Sequence, residues 1–409
     1  MRRGLSPAKS VYALLVLFWA GASYAQLPPV PVPIENPITE PKRVLGKVLF
    51  WDEQLSSDDT VACGTCHRPA FGGSDPRPGL HPGDDPGTLD DVGGSPGIRR
   101  FDADGRPKHD PVFADNPQVT PRSSPNFFAA LWADAIFWDG RAAGAFIDPI
   151  SGDLLIESGA ALENQALAAL SNAAEMTHEA HDWHELTAKL EAAIPLALAT
   201  NLPPDVAQAV SRTMSYPELF ADAFGGPDIT PSRIAFALAA YQRTLVADQT
   251  SWDRFINGDT DAMTPAEQIG WRRFQSLRCT SCHEPPLFAS NRFLNIGLRR
   301  SEFDPGRIAV TGDPADAGAF RVPSLRNSAL KSRYMHTGEF NSLNAAIGFY
   351  RDGAALPDRD DFPDGGIYAF NMGQLDIADL AAFIRTLTDP RVEAEVFPFD
   401  RPTLQSERR

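Results

Sequence analysis

The pentapeptide Cys63-Gly64-Thr65-Cys66-His67 and its counterpart Cys279-Thr280-Ser281-Cys282-His283 decide how this chain is built. In C-x-x-C-H two thiols one helical turn apart form thioethers to porphyrin vinyl groups, while the adjacent imidazole reaches the iron. Each pentapeptide therefore reads as an attachment site, and two covalently bound haem c groups are expected. A zinc ribbon also pairs two C-x-x-C units, but roughly 15–20 residues apart, whereas these two lie in opposite halves of the chain. A thioredoxin-like dithiol needs neither the following histidine nor a second copy. The two sites use all four cysteines, which leaves no disulfide to hold the fold.

Each pentapeptide is preceded by the same kind of helix. Thr39 stands as a cap with Pro41 in the first turn and Val44, Leu45, Val48 and Leu49 as the apolar face. Thr264 repeats the arrangement with Pro265 and with Glu267 closing a capping box. Gly46 with Phe50 and Gly270 with Phe274 share a G-x-x-x-F spacing, so the unit is duplicated. The expected fold is mostly α, with two cytochrome c-like haem domains and long irregular loops. Further helices are expected near 125–132, 160–170, 178–195, 204–224, 231–247, 342–351 and 375–388. From Phe71 to Pro121, Gly, Pro and Asp crowd a loop with no sustained period. That loop carries His81 and His109, either of which can reach an iron, and an acidic run from Asp84 to Asp91.

Residues 1–25 read as a secretory signal: Arg2, Arg3 and Lys9 precede the apolar run Val11–Ala22, and small residues precede a cut near Gln26. Attachment of haem c outside the cytoplasm agrees with export, so a periplasmic location is expected, with no membrane span after cleavage. Residues 26–38 form a proline-rich lead-in, 39–247 a first haem domain, 248–395 a second, and 396–409 a polar tail. The net charge of −16 argues against nucleic acid as a partner and suits a basic redox protein.

Beyond the two pentapeptides, dispersed motifs carry a family resemblance. They are Leu45–Phe50, Gly72-Gly73, Phe137-Trp138-Asp139-Gly140-Arg141-Ala142, Arg243-Thr244-Leu245, Val322–Asn327 and Tyr334-Met335-His336. In this set and order the chain resembles the bacterial diheme cytochrome c peroxidases, which include the MauG-type enzymes. The resemblance implies that His67 and His283 are proximal ligands, that hydrogen peroxide meets the first haem, and that the second takes electrons from a donor. It implies that Trp138 lies between the haems, that Gln165 orients peroxide and that Glu175 acts as acid and base. Ala169 and Ala173 depart from it, standing where the family has prolines.

Counting fourteen residues from His336 gives Tyr350, where peroxidases of the family have methionine and MauG-type proteins have tyrosine. Tyr350 is thus the implied second ligand to the second iron, with Met335 and Met372 as alternatives. The resemblance also implies an interdomain calcium near Ser123, Lys331 and Arg333. The expected function is reduction of hydrogen peroxide to water with electrons from a small cytochrome c or cupredoxin. Two alternatives stand beside it: a MauG-like oxidase that modifies aromatic residues of a protein substrate, and a plain electron-transfer cytochrome.

Overall fold

Thr39 accepts a hydrogen bond from the amide of Lys42 and so starts helix α1, Glu40–Phe50, as its sequence demands. In this computed structural model, residues 26–83, 86–88, 90–351 and 372–408 are described. The expected leader, residues 1–25, and Asp84, Asp85 and Leu89 of the acidic run lie outside them.

The remaining main helices are α2 (Ala161–Leu170), α3 (Trp183–Ala192), α4 (Pro204–Thr213), α5 (Tyr216–Phe224), α6 (Pro231–Gln242), α7 (Ser251–Ile256), α8 (Pro265–Ser276), α9 (Leu343–Arg351) and α10 (Gln374–Arg385). Thr264 and Glu267 form the expected capping box of α8, the Thr264 amide donating to Glu267 Oε2 at 2.7 Å. The described strands make three two-stranded antiparallel sheets of two or three residues each.

The duplicated glycines have a steric purpose. Gly46 lets α1 press against α6, where a Cβ would run into the Ala237 carbonyl and the Tyr241 side chain. Gly270 lets α8 press against α10, where a Cβ would run into the Asp379 carbonyl and the Phe383 side chain. Each attachment motif thus follows a helix locked backbone-to-backbone onto a partner. Gly46→Ala and Gly270→Ala are each expected to lower the stability of the haem-loaded protein by about 1–3 kcal/mol, read as a shift in the denaturant midpoint.

Two large apolar clusters result. One takes residues from Val44 to Ala247 together with Val392, Phe399 and Leu404, and the other residues from Trp252 to Leu387.

Four expectations are corrected. The span 125–132 is no helix beyond a single 3-10 turn, Ala130–Trp132: the Asn126 side chain is held by the carbonyls of Ser324 and Arg326, and Asn126 and Phe127 line a cavity and not a helical partner. The span 204–224 is two helices, broken where Met214 adopts φ +55° and Ser215 caps anew on the amide of Glu218. The helix expected from 178 begins only at Trp183, because Asp182 caps it and Ala180 is left-handed at φ +54°. Finally, 396–409 does not behave as a polar tail. Phe399 and Leu404 are fully buried in the first cluster, together with Val392. Asp400 pairs with Lys47 at 2.8 Å, and the amides of Gln405 and Ser406 donate to the Glu53 carboxylate.

Candidate active site

Cys63–Cys66 is a single helical turn, and His67 follows at its end. The His67 Nδ1 lies 3.0 Å from the carbonyl oxygen of Gly73, which fixes the proton on Nδ1 and leaves Nε2 as the lone-pair nitrogen. Gly73 holds φ +72° with Phe127 packed over it, so the turn read from Gly72-Gly73 is required by backbone geometry. The second site is built alike. His283 Nδ1 lies 3.2 Å from the Phe288 carbonyl and 3.1 Å from that of Pro323. Pro323 belongs to the Val322–Asn327 motif, in which Arg326 is buried and pairs with Asp253 at 2.6 Å. That motif therefore sets the second histidine.

A cavity of about 620 Å³ gathers Cys63, Cys66, His67, Trp138, Gln165 and Glu175 into one lining. All six were singled out from sequence. His81 joins the lining as well. His109 does not: it is exposed and pairs with Asp115 at 3.3 Å. Glu175 is held by Asn172, whose Nδ2 donates to Oε1 at 2.8 Å. Burial raises its carboxyl to about 7, against the pull of Arg141 and of the Asn172 hydrogen bond. The segment is braced from behind: Gln118 Nε2 donates to the Ala173 carbonyl at 2.9 Å, and Gly97 leaves room for Ala174 and Glu175 where any Cβ would clash. Ala169, one of the departures from proline, lines the cavity itself.

Trp138 occupies the tip of a short hairpin, Ala135–Ile136 paired with Ala142–Ala143. Its indole Nε1 donates to the Ser123 carbonyl at 2.8 Å, and its own carbonyl accepts from the amide of Arg321 at 2.8 Å. The ring lies 6.1 Å from His336, which in turn stacks on Phe320 at 3.6 Å. Trp138 therefore touches both the cavity and the Tyr334–His336 turn of the second half.

Tyr350 lies on α9 and packs against the second cluster. Burial, and then the charges that Cys279 and Cys282 would carry, push its hydroxyl up, and Cys279 packs against the same cluster. Met335 packs on the same cluster and Met372 is buried in it.

The residues fit the expected prosthetic groups. Each site offers two thiols not bonded to each other and an imidazole oriented through Nδ1. The first adds a cavity of suitable size and, in its lining, Arg321, whose buried Nε has no partner. Burial lowers that guanidinium to about 10; a group bearing carboxylates would satisfy it.

Calcium fits less well. The Ser123 carbonyl already accepts from Trp138, and the Lys331 ammonium donates to the Ser124 carbonyl at 3.2 Å. Burial lowers this lysine to about 8. A calcium ion requires six to eight oxygen ligands, whereas here an indole N–H takes the Ser123 carbonyl and an ammonium takes that of Ser124. Sequence reasoning missed Asn172, Arg321 and the side-chain role of Lys331. Of these only Asn172 left a trace, standing three residues before Glu175.

Three comparisons with known proteins agree with this geometry. The family model for di-haem cytochrome c peroxidase matches residues 40–261. The methylamine utilization protein MauG of Methylophilus methylotrophus is 28% identical over 374 residues, covering 90% of this chain and 89% of that protein. The cytochrome c551 peroxidase of Pseudomonas aeruginosa is 27% identical, covering 90% and 85%. A solved MauG-like protein associated with microbial copper homeostasis is 26% identical with a TM-score of 0.64, covering 93% of this chain and 98% of its own. The chain belongs to the di-haem cytochrome c peroxidase family and is an oxidoreductase of that type. The plain electron-carrier alternative is thereby set aside. No helix among the described residues is long and apolar enough to cross a membrane.

Proposed function

We propose that the protein reduces hydrogen peroxide to two water molecules in the Cys63–His67 cavity, using two electrons and two protons. A haem c bound through Cys63, Cys66 and His67 would supply the redox-active iron there, and a second would be held by Cys279, Cys282, His283 and Tyr350. The observation that carries the proposal is Glu175, a carboxylate poised near neutrality inside the cavity that His67 lines. Its Oε atoms take the proton from one peroxide oxygen and deliver it to the other as the O–O bond breaks. Gln165 offers an amide donor and an acceptor to hold peroxide in place. Trp138 relays reducing equivalents from the second half of the chain. Their source is a small cytochrome c or cupredoxin in the periplasm, for which the acidic charge of −16 supplies attraction.

Tyr350 favours a second reading, a MauG-like oxidase whose oxidising equivalents leave through Trp138 to an aromatic residue of a protein substrate. Turnover of peroxide with reduced cytochrome c supports the first reading. Peroxide-dependent mass change on a co-expressed partner, without cytochrome oxidation, supports the second. Replacing Tyr350 by Phe is expected to change the low-spin haem spectrum, and an untouched spectrum would remove it as a ligand.

A further inference from the structure

On the far side of the Glu175 segment, His178, His181 and Glu185 bring one donor atom each to within 4.8 Å of one another. They lie at the junction where the loop enters α3: His178 and His181 precede the Asp182 cap, and Glu185 is in the first helical turn. The peroxide chemistry uses none of them.

An ordinary ion pair explains only part of this cluster. His178 Nε2 lies 2.9 Å from Glu185 Oε2, and its Nδ1 lies 2.9 Å from the Ser57 hydroxyl. His181 has no such account. Both of its ring nitrogens are buried and neither has a hydrogen-bond partner, although its ring packs 5.6 Å from His178 and 5.4 Å from Trp183. Leaving buried polar atoms unpaired costs about 1–3 kcal/mol, a cost that a ligand to His181 would remove.

We propose that His178, His181 and Glu185 bind one borderline divalent transition ion of the zinc class. Two imidazoles and one carboxylate suit such an ion, and three protein ligands leave a fourth position for water. Glu185 is 54% exposed on its side chain, so the fourth position opens to solvent. Ser57 is the outer partner: its hydroxyl holds His178 Nδ1, which presents Nε2 to the ion. The backbone of Ser57 also donates to the Met176 carbonyl at 2.8 Å. A bound ion therefore staples α3 to the segment that carries Glu175.

The test uses the haem-loaded protein, in which the cysteines are consumed and cannot compete. After removal of metal with EDTA, ZnCl2 is titrated calorimetrically, and the bound ion is read by X-ray absorption at the zinc edge. Saturation at one ion per chain, with nitrogen and oxygen neighbours including imidazole, is the expected result. His181→Ala abolishes this binding, and Ser57→Ala weakens it by about 10–100-fold. His109→Ala, which alters an exposed histidine elsewhere, leaves it unchanged. An unaltered Soret band in each variant shows that the fold is kept. Absence of saturable binding, or binding that survives both His181→Ala and Glu185→Gln, overturns the proposal.

Discussion

Replacing Glu175 by glutamine is expected to slow the reaction with hydrogen peroxide by about 10²–10⁴-fold, measured by stopped-flow spectroscopy of the reduced protein. Glutamine keeps the size of the side chain, so the cavity stays filled, and its amide oxygen still accepts from Asn172 Nδ2. What it cannot do is take a proton from peroxide. The pH profile gives a second reading. With a carboxyl raised to about 7, the wild-type rate should climb as pH rises through neutrality and the carboxylate forms. The Glu175→Gln variant should lose that step.

Asn172→Ala removes a hydrogen bond that favours the charged form, so the step should move to higher pH. Folding feels the same group with a fixed sign. Its raised value favours the native state fully below the ordinary value of 4.5, and that contribution is lost as pH rises through about 7. Peroxide reactivity indifferent to Glu175→Gln would strip the residue of its proposed role.

The largest effect on stability is expected at Arg243. Its guanidinium donates to both oxygens of Glu163 at 2.6 and 3.0 Å, and both side chains are essentially excluded from solvent. Asn36 Nδ2 adds a third donor to Glu163 at 2.9 Å. Arg243→Ala leaves a carboxylate buried with its main partner gone, and such a break costs about 3–5 kcal/mol. Chemical denaturation of the haem-loaded protein reads this directly. Replacing the pair together, by Arg243→Met and Glu163→Leu, should recover much of the loss, because neither charge then needs solvation. A single-variant loss below about 1 kcal/mol would show that water reaches the pair. Arg243 entered as one of the dispersed family motifs, and the structure explains its presence by this contact across the first cluster.

Much of the fold was legible because its instructions are local. A cap at Thr39 or Thr264 and a proline in the first turn act within four residues, and both helices begin where those signals stand. The failures share a cause. The apolar residues from Phe127 to Leu131 resemble a helix face, yet Phe127 and Ala130 line a cavity, so their hydrophobicity answers to a prosthetic group and not to a helical partner. The break at Met214 needed the Ser215 cap to be weighed above the apolar period on either side.

At the site, the attachment residues were visible in their own spacing. Gln165, Glu175 and Trp138 were ordinary polar and aromatic residues until the family order placed them. Lys331 and Arg321 stayed hidden because the groups that define them come from the other half of the chain. Burial at an interface between distant segments leaves no periodic mark in sequence.

The returning C-terminal segment completes the surroundings of the first attachment site. Gln405 grips Glu53 across 352 positions, and Leu404 fills a place in the core beside helices that lie hundreds of residues earlier in the sequence. Glu407 pairs with Arg68, the residue next to His67. The first half of the fold is therefore held shut by residues that follow the second attachment site, and the two halves share one closure although each has its own motif.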